Sequence, residues 1–210
     1  MRKDSLEVIN SVQSFGLDVG NRTIFLHSEG DTSGEEDGVD YKMAVNFQKN
    51  LYILNYINHN PITINMLCIG CDVDYGMGIF DLIKNSPSEI TIVANAYCCS
   101  MGTIILQAAH KRILMPSVEF MIHYGKITSQ NNDLGLVKNN YEYWTRKNNI
   151  MLKIYAERCA GSQFYKEHKM NEAKMIKFLD KTLKENQDWY LTAEQAVYYG
   201  FADEVYNARN

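Results

Sequence analysis

Apolar segments of strand length alternate with amphipathic segments along almost the whole chain, and this alternation constrains the fold most. Apolar runs predict strands at Thr23–His27, Ile62–Ile69, Ile90–Ala96, Arg112–Met115 and Val118–His123. Helical spacing of apolar residues predicts helices at Tyr41–Asn58, Gly76–Lys84, Met101–Ala109, Leu134–Arg158, Asn171–Asn186 and Ala193–Tyr199. Strands that are separated by helices usually pair in parallel, with the helices covering the sheet. The order therefore predicts βαβ units within a single α/β domain.

Composition excludes several classes of protein. A chain of 210 residues with 46% hydrophobic and 22% charged residues is large enough to bury one full core. The net charge of −4 gives no reason to expect nucleic-acid binding. No apolar run reaches the length of a membrane span, and the N-terminal residues lack a signal-peptide core. We therefore expect neither a nucleic-acid nor a membrane partner.

The five cysteines indicate a reducing compartment, because two of them are adjacent and the others stand at apolar positions. Cys68 and Cys71 form a C-x-x-C pair, but no second pair of metal ligands follows, so the pattern does not predict zinc. A cytoplasmic protein without a metal or organic cofactor is expected. Residues 29–40 are acidic and glycine-rich without the ligand spacing of a calcium loop, which predicts a solvated insertion.

Ser100 stands where the predicted strand Ile90–Ala96 gives way to the predicted helix Met101–Ala109. The first backbone N–H groups of a helix have no partner within it, and the helix dipole is positive at that end. A serine placed there can act as a nucleophile beside a ready-made oxyanion hole. Serine is also a common helix N-cap, so the position alone allows both interpretations.

His123 ends the next but one predicted strand, twenty-three residues after the serine. Side chains at the ends of neighbouring strands can meet at one edge of a sheet, which is what general-base activation of a hydroxyl requires. A histidine at a strand end is often structural, however, and only the combination of the two residues favours catalysis.

The order of short motifs around these two residues resembles the ClpP family, the proteolytic subunits of the caseinolytic Clp proteases. The similarity extends over residues 22–205 and is closest to divergent, phage- or plasmid-type members. It is carried by Arg22–Leu26, Gly76–Asp81, Ser100-Met101-Gly102, Ala108-Ala109, Lys111-Arg112, Met115-Pro116, Met121-Ile122-His123, Ile154–Glu157, Leu191–Ala196 and Tyr199–Val205.

The resemblance implies a fold and a domain organisation. The fold would be a ClpP/crotonase-like spiral of βαβ units with a projecting handle helix, in a handle region of about 126–158. It implies an N-terminal segment at 1–21, a protease domain at 22–205 and a C-terminal tail at 206–210.

The resemblance also implies a catalytic machinery, although two parts of it depart from the family pattern. Ser100 would be the nucleophile and His123 the base, with the backbone N–H groups of Gly70 and Met101 as the oxyanion hole. The family's N-S-P-G-G strip falls on Leu67-Cys68-Ile69-Gly70-Cys71, so Cys71 is an alternative donor.

For the third triad member, matching the chain without gaps from Leu191 places Lys184 at the position of the family's aspartate, and a lysine cannot orient an imidazole. Matching from Ile176 instead gives Asp180, which is the predicted acid. Asp188 is the nearer alternative.

The expected function is that of a serine endopeptidase of the ClpP type. By resemblance, its subunits would form heptameric rings, as one ring or a double ring, that receive unfolded polypeptides from an AAA+ unfoldase. ATP would belong to that partner, because this chain has no G-x-x-x-x-G-K-[ST] loop. Two alternatives stay open: an inactive ring subunit or capsid-assembly component, and a crotonase-fold acyl-CoA enzyme, which needs no Ser–His pair.

Overall fold

The computed structural model describes residues 3–27, 38–70, 72–125 and 134–207, with side chains from residue 6 onward. The helices of this part of the chain are α1 (Lys3–Phe15), α2 (Tyr41–Ile57), α3 (Val73–Lys84), α4 (Met101–Gln107), α5 (Leu134–Arg158), α6 (Gln163–Glu167), α7 (Glu172–Asn186) and α8 (Ala193–Tyr199). Its strands are β1 (Leu17–Asp18), β2 (Thr23–Leu26), β3 (Ile62–Cys68), β4 (Ile90–Cys99), β5 (Lys111–Leu114), β6 (Glu119–Ile122), β7 (Trp189–Leu191) and β8 (Glu204–Val205). None of these helices is long and apolar enough to cross a bilayer.

Side-chain caps begin most of the helices whose first turn can be described. Asp40, Asp72, Asn171 and Thr192 each accept a hydrogen bond from a backbone N–H of the turn that follows. Such caps satisfy donors that the helix itself cannot, and each contributes about 1 kcal/mol. Ser100 precedes α4 but makes no such hydrogen bond, so its hydroxyl is available for another partner.

The sheet is built around β4. Strands β2, β3, β4, β5 and β8 lie side by side in parallel, and β1 pairs antiparallel with β2 at the edge. β4 pairs with β5 through residues 91–94 and with β6 through residues 97–99. Between these two stretches Ala96 has a positive φ of 49°, where the strand changes its partner. The outer part of β4 therefore carries β6 beside it, up to Ser100.

Alternation within the central strands places one row of side chains in the core. Ile62, Ile64, Met66 and Cys68 of β3 are almost fully buried, as are the corresponding apolar residues of β4. Burial of such a side chain contributes roughly 1.5–3 kcal/mol. Helix α4 packs on this row and α3 packs against α4, so the site at the end of β4 lies beside the hydrophobic core.

The predicted order of strands and helices agrees with the structure in both type and sequence. Helices α5 and α8 have the predicted bounds, whereas β4 extends three residues beyond Ala96 to Cys99. Five elements have no predicted counterpart: α1, β1, α6, β7 and β8. β1, α6, β7 and β8 have at most five residues each, too few for a period in the sequence to register. The predicted acidic loop lies mostly outside the described residues, which resume at Gly38.

Candidate active site

Ser100 occupies a strained turn between β4 and α4. Its φ of 50° and ψ of −119° lie in a region that residues other than glycine seldom adopt. Such a conformation costs on the order of 1–3 kcal/mol and persists only when its surroundings impose it. The same strain marks the strand-to-helix turns that present nucleophilic serines in α/β-hydrolases.

Backbone hydrogen bonds on both sides of Ser100 hold this turn. The Ser100 N–H donates to the carbonyl of Met121 on β6 at 2.7 Å, and the hydroxyl of Thr103 donates to the Ser100 carbonyl at 2.6 Å. The Thr103 hydroxyl also meets the buried hydroxyl of Tyr155 on α5. Since Met121 lies two residues before His123, the bond from Ser100 to β6 also fixes the distance between the two candidate catalytic residues.

The imidazole of His123 lies between a hydroxyl and a carboxylate. Its Nε2 is 2.7 Å from Ser100 Oγ, and its Nδ1 is 2.9 Å from Asp188 Oδ1. An ionised carboxylate can only accept, so the ring proton belongs on Nδ1 and Nε2 accepts from the serine hydroxyl. The His123 side chain is 18% exposed and that of Asp188 37%, which leaves the row accessible from one side.

Strand register brings Asp188 to His123. β6 and β7 pair antiparallel, with Phe120 opposite Leu191 and Ile122 opposite Trp189. One step further along the same ladder places Asp188 opposite His123. Directly opposed residues on antiparallel strands have their Cβ atoms about 5 Å apart, close enough for their polar groups to bond.

An aromatic cluster anchors β7 in this position. The Trp189 ring makes edge-to-face contacts with Phe178, Tyr199 and Phe201, with centroid separations of 6.1, 5.0 and 5.8 Å. Aromatic pairs of this kind contribute about 0.5–1.5 kcal/mol beyond the area that they bury. Trp189 is thus held against the core, and this restricts the position of the neighbouring Asp188 carboxylate.

The prediction that Asp180 contacts His123 is wrong. Asp180 lies on α7 and accepts hydrogen bonds from the Tyr124 hydroxyl at 2.7 Å and from the Lys184 ammonium at 2.8 Å. Lys184, and then Tyr124, hold the pKa of this carboxyl below its usual value. Asp188, the open alternative in the sequence, is the carboxylate that the structure places on the imidazole.

Gly70 lies against the serine from the end of β3. Its φ is 109°, and a Cβ added to it would lie 2.5 Å from Ser100 Cβ and 3.0 Å from Ser100 Oγ. No side chain fits there, so only glycine lets this backbone approach the nucleophile. Its carbonyl accepts from Val39 N–H at 2.5 Å, which fixes the peptide plane.

Met101, the other predicted donor, is the first residue of α4, and its N–H has no acceptor within that helix. Cys71, the alternative donor, lies outside the described residues.

A small, mainly apolar cavity of about 50 Å³ lies beside Ser100 and His123. It is bounded by α3, α4, α5 and the residue that follows Tyr124. The side chains and backbone that line it with the serine and histidine are Val73, Met77, Met101, Ile104, Gly125, Trp144, Lys147, Asn148, Ile150 and Met151. A pocket in this place can receive the side chain next to an attacked carbonyl.

The described residues contain no group of three or more histidine, cysteine, aspartate or glutamate side chains arranged to hold a metal ion.

Comparison with known proteins gives a family and a fold. A family model described as Clp protease matches residues 21–209. The ATP-dependent Clp protease proteolytic subunit of Streptococcus sanguinis is 28% identical over 148 residues, which cover 67% of this chain and 66% of the relative. Proteolytic subunit 2 of Pseudomonas aeruginosa is 27% identical over 172 residues, covering 80% and 77% respectively. The chain thus spans just under two thirds of the streptococcal relative and about three quarters of the other.

Solved structures agree on the fold. ClpP1 from Listeria monocytogenes superposes with a TM-score of 0.67 at 22% identity, and a point mutant of that protein with 0.71 at 23%. Each match covers 91% of this chain and 94% of the other. The predicted ClpP/crotonase-like α/β fold is therefore confirmed.

Proposed function

The chain belongs to the Clp protease family, and on that premise we propose that it is a serine endopeptidase that hydrolyses unfolded polypeptides. The observation that carries the proposal is the unbroken row from Ser100 Oγ through His123 to Asp188, with hydrogen bonds of 2.7 and 2.9 Å. The hydroxyl of a serine that merely capped α4 would accept a hydrogen bond from a backbone N–H of that helix, and the Ser100 hydroxyl does not.

Each member of the row has one task in the proposed reaction. As Ser100 Oγ attacks the peptide carbonyl carbon, its proton passes to His123 Nε2, and Asp188 stabilises the imidazolium through Nδ1–H. Nε2 then returns the proton to the leaving amine, and an acyl-serine ester results. A water molecule, deprotonated in the same way, releases the acyl group and restores the hydroxyl.

The negative charge that develops on the carbonyl oxygen requires N–H donors close to Ser100. We assign this role to Met101 N–H, at the start of α4, and to the Gly70-Cys71 strip. The close approach of Gly70 to Ser100 supports this assignment, and the loss of one such donor typically costs about 10²–10³ in turnover.

Labelling with a fluorophosphonate probe, followed by hydrolysis of a fluorogenic peptide, tests the proposal. We expect Ser100→Ala to abolish labelling and to lower turnover on the order of 10⁶-fold without unfolding the protein. Ser162→Ala is the matched control, because Ser162 caps α6 by accepting from Tyr165 N–H at 3.1 Å. That variant should lose up to about 1 kcal/mol of stability and keep its labelling.

Wild-type protein that neither reacts with the probe nor cleaves the peptide would indicate an inactive ring subunit or capsid-assembly component instead. Binding of acyl-CoA by such a protein would support the crotonase-type alternative.

We also propose that copies of the chain assemble into heptameric rings that an AAA+ unfoldase supplies with substrate, in the cytoplasm. The apolar residues that α5 exposes support assembly through this helix: Leu134, Leu136, Val137, Tyr141 and Ile150. Native mass spectrometry should give a multiple of seven subunits. A stable monomer at micromolar concentration would contradict the ring, although Ser100 labelling would still test the chemistry separately.

A further inference from the structure

Three side chains join α5 to the first turn of α3 across the outer side of the cavity. Lys147 forms an ion pair with Asp74, and the Tyr143 hydroxyl donates to the same carboxylate at 2.8 Å. The Lys147 ammonium also lies 5.3 Å from the centre of the Tyr143 ring. Asp74, Tyr143 and Lys147 therefore form one contact, which we term the α3–α5 clasp.

The clasp contacts the cavity directly through Lys147, one of the residues that line it. The Lys147 side chain is only 16% exposed, whereas Asp74 at the outer end is 65% exposed. A lysine ammonium is strongly hydrated, and its flexible stem turns toward water unless a partner holds it. Because Asp74 provides that partner, the Lys147 stem stays packed as part of the cavity wall.

Trp144 connects the same part of α5 to the backbone that follows His123. Its ring packs edge-to-face on Tyr143 at 5.4 Å, and it lies so close to Gly125 that a Cβ there would be 2.1 Å from the ring. Gly125 lies two residues after His123. Helix α5 therefore contacts two sides of the cavity. The clasp joins it to α3, and Trp144 packs against the backbone that follows His123.

Charge states at neutral pH favour a closed clasp. Hydrogen bonds from Lys147, and then from Tyr143, hold the pKa of Asp74 below its usual value, so the carboxylate is ionised. Burial and the bond to Asp74 raise the pKa of Tyr143 to about 12, so its hydroxyl keeps the proton that it donates.

We propose that Lys147 is a specificity-determining residue, which Asp74 holds in place so that the cavity beside Ser100 admits only a small side chain. This inference rests on the proposed peptidase function, since the cavity would receive the side chain that precedes the scissile bond. Its volume of about 50 Å³ is far below the roughly 300–1,000 Å³ of ordinary small-molecule sites. Loss of the lysine stem enlarges the cavity on the side of α5.

The test compares two fluorogenic peptides that differ only in alanine or phenylalanine before the scissile bond. We expect the wild-type protein to prefer alanine, and Lys147→Ala to raise the phenylalanine-to-alanine ratio of kcat/KM about tenfold, within the range that pocket size controls. Asp74→Asn should shift the ratio in the same direction by a smaller factor, since it releases the lysine without changing the cavity lining.

Lys138→Ala is the matched control. Lys138 lies on the same helix and pairs with Glu142 at 3.8 Å, but its side chain is 76% exposed. The ratio should stay at the wild-type value in this variant. A Lys147→Ala ratio within twofold of wild type, or an equal shift in Lys138→Ala, would overturn the inference while leaving the peptidase function intact.

Fluorescence of Trp144 provides a readout that needs no turnover. The chain has two tryptophans, and a Trp144→Phe variant isolates the signal of Trp189. Acrylamide should quench Trp144 more strongly in Lys147→Ala and Asp74→Asn than in the wild type or in Lys138→Ala. Unchanged quenching in both clasp variants would refute the clasp even for a protein without activity.

A wild type that hydrolyses neither peptide refutes the peptidase function, and the specificity role with it.

Discussion

Two carboxylates flank the end of β6, and they belong to different kinds of structure. Asp188 immediately precedes β7 and contacts His123 at the end of the antiparallel ladder, whereas Asp180 lies on α7 and contacts the next residue, Tyr124. Successive residues of a strand point to opposite sides. The two neighbouring residues therefore contact different carboxylates. His123 contacts the carboxylate of the proposed triad, and Tyr124 contacts one that holds α7 in place.

The pairing of β6 with β7, rather than distance along the chain from His123, determines which aspartate contacts the imidazole. Asp180 also has a cationic neighbour, Lys184, four residues further along its helix. The negative charge of Asp180 is therefore balanced by a residue of its own helix. Asp188 bonds to the imidazole that takes a proton from Ser100 in the proposed reaction, and a negative charge at this place assists catalysis.

The largest expected difference between the two carboxylates is in turnover. Asp188→Asn should lower kcat on the order of 10⁴-fold, because an amide can hold His123 in the wrong tautomer. Thermal unfolding should change little, since Asp188 is partly exposed. Hydrolysis of one fluorogenic peptide by Asp188→Asn and Asp180→Asn, measured side by side, tests the assignment. A greater loss in the Asp180 variant would reverse it.

The second prediction concerns the backbone that lies against Ser100, whose effect on kcat can be compared with that of Asp188. Gly70→Ala should lower kcat about 10²-fold, because the new Cβ would lie 2.5 Å from Ser100 Cβ and displace the serine. Gly161→Ala is the matched control, with a φ of 84° and no atom within 4 Å of the added Cβ. Gly161→Ala should lose roughly 1 kcal/mol of stability through backbone strain, and Gly70→Ala should lose more, because its Cβ also clashes with Ser100. Equal activities in the two would show that the contact with Ser100 is unimportant.

Asp180 should have a small effect on activity. Tyr124→Phe removes the hydrogen bond between α7 and the end of β6, and Asp180→Asn weakens it by replacing the charged acceptor with an amide oxygen. We expect kcat/KM within about threefold of wild type for each variant. Peptide hydrolysis under saturating and limiting substrate gives both kinetic constants. A tenfold or larger fall in kcat in both variants would mean that this bond also orients the imidazole.

The smallest expected effect is on stability and depends on pH. The folded protein holds the pKa of Asp180 below its ordinary value of 3.8, so the unfolded chain binds the proton more tightly and acid favours unfolding. The ionised side chain is 38% exposed, and its interactions should contribute about 0.5 kcal/mol above pH 5. Urea unfolding of wild type and Asp180→Asn should therefore differ at pH 7. The two curves should converge as the pH falls below 3.8, and a difference that grows in acid would contradict this account.

Periodicity and motif order were sufficient to predict much of the site. The strand-to-helix turn at Ser100 and the strand that ends before His123 both follow from long, regular apolar runs, and the structure brings these two residues together. β7 has only three residues and directly follows a helix, so its pairing with β6 leaves no period in the sequence. A usable signal was nevertheless present in Trp189 and Tyr190, aromatic residues that favour strands, immediately after Asp188.

Local patterns of apolar residues are sufficient to predict the α/β class, the order of most elements, and a serine and a histidine at two strand ends. Three other features become visible only in the folded chain: which carboxylate faces the histidine, how closely Gly70 approaches the serine, and that Lys147 pairs with Asp74 beside the cavity. Each of these is a contact between residues that are 30 to 73 positions apart. Such contacts depend on register and packing angles, which the side-chain pattern of either segment alone does not specify.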